Sequence, residues 1–273
     1  YPLLRNQCPP NNNKALAIKM KFISTALAFI MMVISCESFR TPSIQIATRK
    51  SSNLNANRAQ LEMAYKKVFV AGAAKGVGRQ IVEQLVAKDV EVVAFVRREE
   101  AKQELGGLKG VTAILGDALV QKDVEGAMDG CDAAVTTLGS APTDEQRWKV
   151  DYDGNVNVIE AAGILGVTRC ILVTSVGCGD SKEAVSPDAY EKLENALKAK
   201  EKAERVLTKY YTNSDWTVIR PGGLMNGEAT SAAVLTENKM ACGVINRADV
   251  ASLVVKALDS QKTFRKVLTA VDP

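Results

Sequence analysis

Histidine is absent from the 273-residue chain. That removes the usual imidazole ligands of a metal and the base of a Ser-His-Asp triad. The cysteines include no C-x-x-C pair, and the four beyond residue 61, Cys131, Cys170, Cys178 and Cys242, are widely spaced. They read as isolated buried or part-buried thiols, and no metal site is expected. The chain also lacks a long apolar run: the one inside "MKFISTALAFIMMVIS", Met20–Ser35, falls short of the roughly 20 residues that a spanning helix needs. A basic surface is missing as well. Residues 1–61 hold 8 of the 35 Lys and Arg but 1 of the 31 Asp and Glu, which leaves 27 basic against 30 acidic groups and a net charge of −3 for residues 62–273. Nothing in that balance favours a nucleic-acid partner.

What stands at the start has the composition of an address. Met20 opens a short basic segment, an apolar run and then "CESF", the layout of a secretory-type signal. Residues 1–19 are polar and rich in Asn and Pro, and read as untranslated sequence ahead of a start at Met20. From Phe39 to Leu61, "FRTPSIQIATRKSSNLNANRAQL" carries Arg40, Arg49, Lys50 and Arg58, several hydroxyl residues and no acid, as organelle transit peptides do. A signal joined to a transit segment, with Phe39 near the cut, resembles the bipartite plastid leaders of algae with complex plastids. Residues 1–61 are therefore expected to be a non-structural leader that sends a domain at 62–273 to the plastid stroma. The alternative is plain secretion followed by a disordered linker. The mature form is not expected to span a membrane.

From Lys66 onward, short β-branched runs alternate with helical stretches. "KVFVAG", "VEVVAFVRR", "VTAILGD", "CDAAVTTLG", "TRCILVTS", "DWTVIRP" and "KVLTAVDP" read as strands. Between them, "VGRQIVEQLVAK", "EEAKQEL", "KDVEGAMDG", "WKVDYDGNVNVIEAAGILG", a charged stretch over 189–209 and "RADVASLVVKALDS" read as helices. Alternation with nearly continuous apolar strands predicts an α/β fold, a doubly wound parallel sheet of Rossmann-like type. No repeat or linker divides 62–273, so one domain is expected, with 222–239 as a small flexible flap on the substrate side.

"AGAAKGVGRQI" carries the chemistry. Gly72, Gly76 and Gly78 follow the first strand and open the first helix, so backbone N–H groups, including that of Val77, can approach a pyrophosphate at the positive helix end. At the end of the second strand, where NAD-specific folds place an acid, this chain has Arg97 and Arg98, and Lys75 lies inside the loop. These cations suit a 2′-phosphate, so NADP is expected over NAD. Asp117, with Ala118 beside it, closes the third strand where an adenine amino group would sit. Leu138 and Gly139 end the fourth strand beside the adenosine.

Together with "GDALV", "VDYDGNVNVIEAA", "RCILVTSVGCGDS", "KAKEKAERVL", "WTVIRPGGLMN" and "INRADVA", the loop makes the chain from about Lys66 resemble the atypical short-chain dehydrogenase/reductases of the NmrA-like group. The resemblance implies an NADP(H)-dependent oxidoreductase acting on a small conjugated or carbonyl substrate. The family also holds redox sensors and plastid assembly factors, which would have a protein partner. It places the active-site serine at Ser175, with Thr174 beside it. The nicotinamide-ribose lysine falls on Lys200, or on Lys202 in the other register. Pro221, Gly222 and Gly223 fall where the backbone passes the carboxamide. Two departures stand out: Ala196 occupies the place of the acid tyrosine, and Asp151 that of the helix asparagine. Tyr190 is an acid only if it folds back toward the site. Arg220 is expected in a structural ion pair, and Arg247 and Asp249 as a structural helix start.

Overall fold

The computed structural model describes residues 65–140 and 147–273. The expected leader, residues 1–61, lies outside them. Four of the five residues of β1 (Lys67–Ala71) are buried, the burial expected of a central strand covered on both faces. Helix α1 (Gly76–Val86) follows and buries Ile81, Val82 and Leu85 along one face. Then come β2 (Glu91–Val96), α2 (Glu99–Gly106), β3 (Val111–Leu115), α3 (Gln121–Met128) and β4 (Ala133–Thr136). The expected long helix is interrupted: α4 (Arg147–Lys149) leads through a π-helical turn, Val150–Gly154, into α5 (Asn155–Ile164).

The second half supplies β5 (Arg169–Val173), a 3-10 turn at Gly179–Ala184 and α6 (Pro187–Tyr210). Ser186 caps α6 by accepting from the Ala189 N–H at 3.4 Å, and Pro187 occupies the first turn, where a missing N–H costs nothing. After β6 (Asp215–Pro221), the stretch expected to be irregular carries β7 (Gly223–Met225) and β8 (Val234–Thr236). A further short strand, β9 (Val244–Asn246), precedes α7 (Arg247–Asp259) and β10 (Lys266–Val271).

The main sheet runs β3-β2-β1-β4-β5-β6-β10-β8, parallel except for β8 against β10. β7 and β9 form a separate parallel pair. Alternate residues of β1 enter opposite layers: Val68 and Val70 join Ile81, Leu85, Val250 and Val254 on one face. Phe69 and Ala71 join Val124, Met128 and Val158 on the other. Strand order reverses between β1 and β4, and in doubly wound sheets ligands bind outside the carboxyl ends of the strands at that point.

Arg169 shows how a charge is kept inside this core. Its side chain is fully buried, yet its guanidinium donates to Leu258 O and Ala257 O, the last carbonyls of α7, and to Thr217 Oγ1 and Thr263 Oγ1. It thereby caps the negative end of a helix and lies over the Phe264 ring. Burial pushes its pKa down to about 10, so it is still a cation at neutral pH.

Candidate functional site

At the mouth of β1 and β4 the backbone is packed too closely for side chains. A Cβ at Gly78 would lie 2.2 Å from Gly72 O, and one at Gly72 would lie 2.6 Å from Thr137 Oγ1. Gly72 and Gly76 also have φ of +80° and +61°, values that L side chains rarely adopt. Thr137, which carries no motif signal of its own, closes this corner: its N–H and its hydroxyl both donate to Ala71 O, at 3.0 Å each. The first turn of α1 has no side-chain cap. The leading N–H groups of this turn, at the positive end of the helix dipole, are thus free of a capping side chain at Lys75.

These residues fit a dinucleotide. The glycine corner leaves the uncapped turn of α1 open to a pyrophosphate, with Lys75 exposed beside it. Val77 is buried in the core and presents only its backbone to that side. Arg97 and Arg98 leave the end of β2 exposed, and neither pairs with an acid among the described residues. Asp117 Oδ1 accepts from Leu119 N at 3.0 Å, which fixes the turn after β3. Ala118 and Leu138 approach each other over Gly154, where a Cβ would touch both at 3.5 Å.

Contacts distinguish the two candidate lysines. Lys200 Nζ donates to Leu138 O at 2.7 Å and lies 2.8 Å from Asp151 Oδ1, while a Cβ on Gly139 would meet that ammonium at 3.3 Å. Lys202 turns elsewhere, its Nζ 4.7 Å from the centre of the Trp148 ring. Asp151 is buried in the π-helical turn. Its Oδ2 accepts from Ser140 Oγ at 2.5 Å; its Oδ1 is charge-paired with Lys200 but has no aligned hydrogen-bond donor. Asn155, one helical turn on, donates to Asp151 O at 2.9 Å and accepts from Thr136 Oγ1 at 2.7 Å. It holds the turn that carries Asp151, and sequence reading passed it over because it looks like an ordinary helix residue.

Ser175 is half-buried after β5, and its hydroxyl donates to Val176 O at 3.0 Å. Val176 N donates to Pro221 O at 2.9 Å, which joins the ends of β5 and β6. No hydrogen bond joins Ser175 Oγ to Lys200 Nζ among the described residues. Thr174, beside Ser175, donates its hydroxyl to Glu204 Oε1 at 2.6 Å, against α6. Gly222 and Gly223 are buried, and a Cβ on Gly222 would lie 2.4 Å from Gly243 O, so contact with a neighbouring chain segment already accounts for Gly222. Ala196 offers no acid. Tyr190 lies ten residues from Lys200 on one continuous helix, about 15 Å along its axis, with the Lys182 ammonium 4.4 Å from the centre of its ring. It does not replace the missing phenol.

Arg220 makes the expected ion pair, Nη2 to Glu204 Oε2 at 2.7 Å, and a second one with Asp180. Burial opposes its charge, but the hydrogen bonds and charge of Glu204, with a hydrogen bond to Asp180, outweigh that and raise its pKa. Cys178 lies against α6, its Sγ 3.6 Å from Leu197 O. Burial pushes this thiol up, as it does those of Cys131, to about 11, and Cys170, to about 12. These three free thiols are protonated at neutral pH and poor nucleophiles.

Comparison with known proteins agrees with this geometry. The NAD(P)H-binding family model matches residues 72–261. An uncharacterised chloroplastic protein of Arabidopsis thaliana is 32% identical over 247 residues, 87% of this chain and 88% of that protein. The uncharacterised sugar epimerase YhfK of Bacillus subtilis is 33% identical over 202 residues, 72% of this chain and 90% of its own length. Among solved structures, ChuY, an anaerobillin reductase from Escherichia coli O157:H7, aligns with a TM-score of 0.68 at 33% identity, covering 76% of this chain and 97% of its own. The glycine corner, the uncapped α1 and the extent of these matches agree: the chain belongs to the NAD(P)H-binding family, as a Rossmann-type protein of the atypical short-chain dehydrogenase/reductase kind.

Proposed function

We propose that this chain is an NADP(H)-dependent reductase of a small conjugated or carbonyl compound, acting in the plastid stroma. The observation that carries the reading is the Lys200 ammonium, held at the end of β4 by Leu138 O at 2.7 Å and by Asp151 at 2.8 Å. Such a cation would serve the ribose hydroxyls of a bound dinucleotide. Arg97, Arg98 and Lys75 are exposed and would neutralise a 2′-phosphate. The likeness to an anaerobillin reductase supports a reductive direction, and the chloroplastic relative supports the plastid.

The nicotinamide, when bound, supplies a hydride to the substrate. The chain's own residues bind and orient: Ser175 polarises the acceptor and Lys200 holds the ribose. A tyrosine acid typically contributes about 10²–10⁴ in rate, and Ala196 forgoes that contribution. The proton must then come from water, which favours electron-poor acceptors whose reduced form is stable before it is protonated. The same absence of the phenol favours a second reading, a cofactor-bound sensor or assembly factor that turns nothing over. Incubating the purified chain with NADPH and a quinone, a flavin or an enone, and following NADPH consumption, separates the two. Turnover of at least one acceptor above the no-enzyme rate is expected; tight binding without turnover of any acceptor contradicts the reductase.

A further inference from the structure

We propose that Arg247 binds the cofactor's pyrophosphate and couples its occupancy to the loop that follows β7. Arg247 is the first residue of α7, and its side chain lies against the glycine corner. A Cβ on Gly76 would lie 3.7 Å from both Arg247 Cδ and Nε, so the guanidinium end rests against the first residue of α1. Among the described residues this cation pairs with no carboxylate, like the exposed Arg97 and Arg98 and unlike Arg79, Arg205, Arg220 and Arg265. Its neighbour Asp249 is turned to other donors, the N–H groups of Thr230 and Ser231, at 2.9 and 3.0 Å. An uncompensated guanidinium beside an uncapped helix N-terminus places two positive ends together, and a doubly charged pyrophosphate would neutralise both.

The other side of the same guanidinium is already engaged. Arg247 Nη1 donates to Asn226 Oδ1 at 2.7 Å, at the start of the loop between β7 and β8. That loop hangs from the same helix start through Asn246 Nδ2, which donates to Glu228 O at 3.0 Å, and through Asp249. A phosphate that fixes Arg247 therefore also fixes the entry to the segment that borders the substrate side. The inference rests on the family's NAD(P)H binding, and goes beyond it by giving Arg247 a role that its position in a helix start does not suggest.

The test uses the whole chain, NADPH, and adenosine 2′-monophosphate, which lacks the pyrophosphate. Affinities come from titration, and loop protection from hydrogen exchange over residues 226–243 with and without NADPH. Arg247→Ala is expected to weaken NADPH by about 10- to 100-fold, the range of a lost charge-assisted contact, and to leave adenosine 2′-monophosphate binding unchanged. NADPH-induced protection of the loop is expected to vanish in Arg247→Ala, and also in Asn226→Ala, whose NADPH affinity falls much less than that of Arg247→Ala. An Arg247→Ala chain that binds NADPH as tightly as wild type, or loses both ligands equally, overturns the proposal, as does undiminished protection in Asn226→Ala. Failure of the wild-type chain to bind NADPH would instead overturn the cofactor assignment on which it rests.

Discussion

Lys200 and Asp151 illustrate how far one residue's role depends on another far away in the chain. The Lys200 side chain is 13% exposed and that of Asp151 1%, so water screens this pair far less than a surface pair. Removing one partner of such a pair typically costs about 3–5 kcal/mol, because the other charge is left buried and uncompensated. Lys200→Met is therefore expected to lower unfolding stability in urea by an amount of that order. Adding Asp151→Asn should restore most of it while NADPH affinity stays low. A double variant no more stable than the single one would show that Asp151 is not the charge that Lys200 balances. The lysine itself was legible, because "KAKEKAE" matches a family block. Its register was not: Lys200 and Lys202 are alike in sequence, and only the contacts to Leu138 and Trp148 separate them. Arg247 reads in sequence only as a helix start, which gives no sign that its side chain lies against Gly76.

Elements with a strong period were readable, and elements defined by their neighbours were not. The strands of the parallel sheet are continuous apolar runs, and α1 shows its buried face in the spacing of Ile81, Val82 and Leu85. β7, β8 and β9 have three residues each and no pattern of their own; pairing with β9, β10 and β7 creates them. The π-helical turn was likewise invisible, since nothing in "VDYDG" marks an extra residue in a helix. Between β8 and β9, Lys239 reaches Asp180, which also meets Arg220, so one carboxylate ties the second half of the irregular stretch to the loop after β5. Burial pushes Asp180 upward, but hydrogen bonds from Lys239 and Arg220 and their charges hold its pKa below the ordinary 3.8. A depressed carboxylate contributes stability that is complete above that unfolded value and is lost as pH falls through the lower folded one. Because Asp180 is half exposed, the contribution is small, under about 1 kcal/mol. Thermal melts across acid pH should show wild type slightly above Asp180→Asn near neutrality, with the gap closing below pH 3.8. A gap independent of pH would contradict this.

At the scale of the molecule, the sheet order and the glycine corner both mark the carboxyl ends of β1 and β4, and the cations proposed for the cofactor come from elements that end or begin near that side. Lys75 lies in the loop, Arg97 and Arg98 end β2, Lys200 reaches β4 from α6, and Arg247 reaches α1 from α7. The net charge over residues 62–273 is −3, so a positive surface as a whole does not account for these cations. The fold and the cofactor class were legible because a strand, a glycine turn and a helix are local in sequence. The substrate side was not, because β7, β8 and β9 take shape only through pairing across the fold. The decisive measurement is a titration of the chain with NADPH and with NADH, repeated after Arg97 and Arg98 are both changed to Ala. Wild type should prefer NADPH by about 100-fold or more, as two charge-assisted contacts to a phosphate would give, and the double variant should lose that preference with its NADH affinity intact. Equal wild-type affinity for the two, or a preference that survives the double change, would contradict it.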